Sequence, residues 1–182
     1  MREPRHSHGH TLAELMVVVA LLAIAAVLAL PSAQPVTEFR ADTAAGEVVQ
    51  ALRFARQEAM RSGAYRMLRC DAVRNEVSVY IPDTNGAAAT MLKHPLSKMD
   101  YTVNLAQAPA GSNIALTGCR FQFADRTTAA TLAFDGNGNP VRGTGTAAAD
   151  QAQALSSGAV VLGAGNVTRT VAVDVNGRVT TS

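Results

Sequence analysis

The sequence predicts an α+β protein: a long N-terminal helix, membrane-spanning in its first half and amphipathic in its second, packed on a small antiparallel β-sheet or sandwich-like domain. Three observations predict it. A run of 19 residues, Leu12 to Leu30, holds a single charged position, Glu14. Beyond that run, Ala41, Val48, Leu52, Ala55 and Ala59 recur on one helical face, with Glu47, Gln50, Gln57, Glu58 and Arg61 opposite. After Gly63 the apolar residues change to period two, the spacing of half-buried strands. The expected segments are a short polar stretch over 1–9, a membrane helix over 10–35, an amphipathic continuation over 36–63 and a β-rich domain over 64–182. With 182 residues the chain has room for one such domain and no more.

The N-terminal segment carries the most specific signal. Met1 to Gly9 is short and polar, with Arg2, Arg5, His6 and His8. His10-Thr11-Leu12-Ala13-Glu14 follows, then the uncharged run Leu15 to Leu30, which spans about 24 Å as a helix. Adding His10 to Glu14 brings the length near the roughly 30 Å of a bilayer core. Arg2 and Arg5 precede it, which places the leader in the cytoplasm and everything after Pro31 outside. Ala29-Leu30-Pro31-Ser32-Ala33 imitates an ordinary signal-peptide cleavage site. Glu14 argues against that, because a carboxylate at the membrane centre costs roughly 2.5–3.5 kcal/mol and usually marks function. The His6-x-His8-x-His10 spacing suits a discarded leader better than a metal site.

Pro31 and Pro35 are expected to interrupt the helical pattern with a kink or a short unwound stretch. Gly63 is a stop signal, and Phe54 is a misfit that projects on the polar side of the second helix. Strands are expected at Ala64 to Cys70, Val77 to Ile81, Cys119 to Phe123, Thr131 to Phe134, Ala159 to Leu162 and Thr170 to Val175. Asn176-Gly177 signals a type I′ turn before Val179. Gly143 to Gly158 reads as a loop of low order.

The leader, its closing Gly9, the Thr-Leu-x-Glu-Leu-Met run and the apolar stretch occur in an order that resembles the prepilin leader of type IV pilins and type II secretion pseudopilins. The resemblance implies cleavage by prepilin peptidase between Gly9 and His10, N-methylation of His10, and a role in assembly for Glu14, the fifth residue of the mature chain. His10 departs from the family, which usually has Phe there. Leu52-Arg-Phe-Ala-Arg-Gln-Glu-Ala59 with Gly63, Phe134-Asp-Gly-Asn-Gly-Asn-Pro140 and Asn176-Gly-Arg-Val179 resemble the GspH/FimT branch of minor pilins and pseudopilins. That likeness touches both ends of the chain and leaves Pro82 to Gly118 unsupported; the tryptophan often seen in the middle of that domain is missing. It implies a helix on a small β-domain, a single-pass inner-membrane protein with a periplasmic C-terminal domain, and other pilin or pseudopilin subunits of a filament as partners.

Several chemistries have no support in the residues. His94 is the lone histidine beyond the leader and His10, so no zinc site or Ser-His-Asp triad is expected. Asp135-Gly-Asn-Gly-Asn139 imitates the start of a calcium loop but has Pro140 where that loop needs Gly and Thr146 where it needs Glu. No metal, cofactor or catalytic residue is expected. Cys70 and Cys119 would face an oxidising space, where they form either a disulfide or two buried thiols. Net charge is +2, so no bulk drive toward nucleic acid exists. The reading is a structural subunit of a pilus or secretion pseudopilus, not an enzyme. The alternative is a DNA-binding minor pilin for DNA uptake, with Arg169 and Arg178 as contacts, nucleic acid being the less favoured partner.

Overall fold

A computed structural model describes residues 12–29, 34–107, 113–143 and 152–182. These form two compact units, one ending at Gln34 and one running from Pro35 to Ser182. The first contains α1 (Leu12–Ala29), which is apolar all round apart from Glu14. Its 18 residues rise about 27 Å. Among the described residues no helix is long and apolar enough to cross a membrane; α1 stops a little short of the roughly 30 Å of hydrocarbon. Pro31, where a kink was expected, lies outside the described residues.

The second unit begins with α2 (Gln34–Ser62). Pro35 does not break this helix. It sits in the first turn, where a missing N–H removes no intrahelical bond and a fixed φ suits the start. Ala41, Ala44, Val48, Ala51, Leu52, Ala55 and Ala59 form a face with no accessible surface. The alanines bring the helix axis close to the sheet. Gly63, at φ 62°, ends the helix, and the Ala64 N–H turns back to the Ala59 carbonyl.

Eleven strands follow among the described residues: β1 (Arg66–Asp71), β2 (Glu76–Pro82), β3 (Ala88–Met91), β4 (Thr102–Asn104), β5 (Ala115–Phe123), β6 (Thr128–Ala129), β7 (Thr131–Phe134), β8 (Pro140–Arg142), β9 (Gln153–Ala164), β10 (Val167–Val173) and β11 (Val179–Thr181). All pairings are antiparallel. One ladder runs β3–β2–β1–β7–β8, with β4 sharing the edge of β2. The other runs β6–β5–β9–β10–β11. They are joined where Val141 and Arg142 of β8 pair with Ala154 and Gln153 of β9.

Alternation along β1 sends Leu68 into the same core as α2, while Met67 joins a second cluster with Tyr80, Ala133 and Val141. The main core is filled by Phe121, Phe123, Phe134, Leu132, Leu155 and Leu162, all essentially inaccessible. Cys70 of β1 and Cys119 of β5 are joined in a disulfide across the two ladders.

Two expectations are corrected here. Residues 153–158 are not loop but the first half of β9, whose small side chains hid the strand pattern. Gly158 is required there because a Cβ would lie 2.6 Å from the Phe121 ring. Phe54 does not stand on a polar face: it packs against the core and stacks on Tyr101, ring centroids 4.8 Å apart. The loop that carries Tyr101 supplies a partner that helical periodicity cannot foresee. The rest of the expected loop, residues 144–151, lies outside the described residues.

Candidate functional site

Glu14 occupies the first turn of α1, where a carboxylate interacts favourably with the exposed N–H groups and the positive end of the helix dipole. It stands among exposed apolar side chains, Leu12, Leu15 and Met16 beside it. Gly9 and His10, the expected cleavage junction, lie outside the described residues.

The second feature is built from a repeated turn. Asp83-Thr-Asn-Gly86, Asp135-Gly-Asn-Gly138 and Asp174-Val-Asn-Gly177 share one pattern. In each, the Gly N–H donates to the Asp carbonyl oxygen, and the Asp Oδ1 accepts from the N–H groups two and four residues on. The three glycines have φ of 81°, 82° and 73°. Asn176 has no positive φ, so the final hairpin closes through this aspartate-capped turn and not the expected type I′ turn, which needs two such residues. The Asp135 carboxylate is consumed by backbone N–H groups, in keeping with a turn and not a cation loop. Among the described residues no cluster of His, Cys, Asp or Glu suits a metal ion.

Two of these turns meet at the C-terminal end of α2. The Arg56 guanidinium donates from Nε to the Gly138 carbonyl oxygen at 2.9 Å and from Nη1 to the Gly177 carbonyl oxygen at 3.3 Å. A groove of about 450 Å³ opens beside it, lined by Arg53, Arg56, Gln57 and Met60 of α2 and by Gly177 to Thr180. Arg178 therefore faces two helix arginines. Arg169 does not share this groove. It lines another, where its Nε donates to Asp42 Oδ1. The two candidate DNA contacts are thus separated, and one is paired with an acid of the same chain.

Residues 4–30 match the prokaryotic N-terminal methylation motif. The chain is similar in fold to the minor pseudopilin EpsH from the type 2 secretion system of Vibrio cholerae, at 16% identity and a TM-score of 0.51, covering 79% of this chain and 96% of that one. The fold is pilin-like. The Pseudomonas aeruginosa type IV minor pilin FimU is also similar, at 16% identity and a TM-score of 0.48 over 84% of this chain and 92% of its own. No curated protein sequence matches this chain.

The signal for the Arg56 contact was present in the sequence as the threefold Asp-x-Asn-Gly pattern. It was missed because each copy is a local turn, and nothing local says that two copies meet over one helix. Elsewhere, hydrogen bonding to Arg61 holds the Glu58 carboxyl below its ordinary range. Tyr101 is pushed up to about 12, first by burial and then by the nearby Glu47 charge.

Proposed function

We propose that the chain is a structural minor pilin or pseudopilin of the GspH/FimT type, processed by prepilin peptidase after Gly9 and methylated at His10. The observation that carries this reading is the methylation motif over residues 4–30, with Glu14 in the first turn of an apolar helix, on a chain whose fold is that of a minor pseudopilin. A helix apolar on every face is stable only among lipids or other helices. Exposed Leu15, Val17, Leu21, Leu22 and Ile24 meet that description. The described helix is near the length of a bilayer crossing, and the uncharged Thr11 and Leu30 flank it. In this reading α1 holds the subunit in the inner membrane with the domain in the periplasm, then exchanges lipid for neighbouring helices in a filament.

Cleavage leaves an amine at His10, four residues before Glu14. Between staggered neighbours, Glu14 faces the incoming amine and sets axial register. Mass spectrometry of membrane-purified protein is expected to show a chain beginning at methylated His10; a start at Ser32 or Ala33 would replace this reading with an ordinary signal peptide. Glu14→Ala is expected to leave cleavage and insertion intact and to lower the ratio of filament-associated to membrane-resident protein. An equal ratio would remove Glu14 from assembly. The DNA-uptake alternative has less support, because Arg169 is engaged by Asp42.

A further inference from the structure

The groove beside Arg56 concentrates guanidinium groups. Five cations in the described residues meet an acid nearby: Arg61 with Glu58, Arg74 with Asp71 and Glu76, Lys93 with Asp100, Arg142 with Asp125, Arg169 with Asp42. The groove collects Arg53, Arg56 and Arg178, and no carboxylate lines it. Among the described residues the guanidinium groups of Arg53 and Arg178 make no ion pair or hydrogen bond, and both side chains are exposed. Arg56 is fixed in place by two glycine carbonyls, so the site has one rigid guanidinium and two free ones. Met60 and Val179 supply apolar walls.

We infer that this groove is a docking site for an acidic segment of a different filament subunit, whose carboxylates take the place of the missing internal acid. The inference rests on the filament-subunit reading. Guanidinium groups match a carboxylate with paired N–H donors, and partial shielding by groove walls strengthens such a pair. A second copy of this chain is a poor occupant. From Pro35 on, every described carboxylate makes an ion pair or hydrogen bond within the chain except Glu38 and Glu47. Among the described residues of this unit that leaves two such carboxylates to offer, Glu38 and Glu47, nine positions apart on α2. Nucleic acid is also a poor fit. Duplex binding draws on an extended row of phosphate contacts, and single strands stack on aromatic side chains. This groove has three cations in one place and no aromatic lining.

The test uses the full chain in neutral detergent, with fluorescence anisotropy of a labelled oligoglutamate peptide and of labelled duplex DNA at low and near-physiological salt. Oligoglutamate is expected to bind, to weaken about tenfold or more in the Arg53→Gln/Arg178→Gln double variant, and to be unchanged in Arg169→Gln. Both substituted groove residues are exposed and unpaired, so the double variant is expected to melt like the wild type, which circular dichroism checks. The inference is overturned if oligoglutamate fails to bind, if the double variant binds it as the wild type does, or if duplex DNA binds more tightly than the peptide and loses that binding in the double variant. The His10 and Glu14 experiments read processing and assembly separately, so failure of the groove is distinguishable from failure of the filament reading.

Discussion

Removing the Arg56 guanidinium is expected to loosen the end of the domain where α2 meets two turns. Arg56→Ala deletes hydrogen bonds to the Gly138 and Gly177 carbonyl oxygens, at 2.9 and 3.3 Å. A hydrogen bond from a charged donor contributes about 1.5–3 kcal/mol. The longer bond is the weaker one, and Arg56 is only half-buried, so water replaces part of the loss. Both glycines are buried, however, and their carbonyls have no other donor of this strength within the turn. The expected loss is therefore about 2–3 kcal/mol in total, not the sum of two full bonds. In urea unfolding of the unit from Pro35 to Ser182, this lowers the midpoint by about 1 M. Arg56→Lys is expected to recover less than half, because one ammonium cannot reproduce the planar fork that reaches both carbonyls. Arg53→Ala, a neighbour without a partner, is expected to stay within about 0.5 kcal/mol of wild type. A loss below about 0.5 kcal/mol for Arg56→Ala would refute the reasoning. It would mean that solvent satisfies both carbonyls and that the turns hold their places without the helix.

Tyr101 has its folded pKa raised from 10 to about 12, so its contribution is present in full below pH 10 and is lost as pH rises toward 12. Its share of that loss is roughly 2 kcal/mol. Burial also raises Tyr80, so the check is the difference between wild type and Tyr101→Phe; parallel curves across that window would disprove the assignment. Replacing Cys70 and Cys119 together by alanine is expected to destabilise by roughly 2–4 kcal/mol through the freed loop, and an unchanged urea midpoint would show that the two ladders hold without the bridge. Gly46→Ala is expected to raise the melting temperature, with a gain of about 0.5–1 kcal/mol, since a Cβ at that helix position meets no atom within 4 Å.

Local patterns in the sequence determined a good deal of this protein. The apolar face of α2 was legible because burial against a sheet imposes a 3.6-residue period, and Ala41, Val48, Leu52, Ala55 and Ala59 carry it. The strands at Val77–Ile81, Thr131–Phe134 and Thr170–Val173 were legible because alternate side chains must point to opposite faces. The methylation motif over residues 4–30, with Glu14 in an otherwise apolar run, needs no tertiary context to be recognised. What only the tertiary structure decided is which distant groups meet. Phe54 looked misplaced until the loop bearing Tyr101 came over it. Residues 153–158 looked like a loop because Ala, Ser and Gly carry little strand preference; pairing with β8 and then β5 makes them a strand, and Gly158 leaves room for Phe121. Arg169 read as a free basic residue until Asp42 of α2 arrived beside it. Nothing near Arg56 in the sequence names its partners, which are the carbonyls of two distant turns. The division has one physical cause. Periodicity and turn chemistry act between residues close in sequence, whereas a hydrogen-bond partner or packing neighbour from another element exists only once the chain has brought the two together.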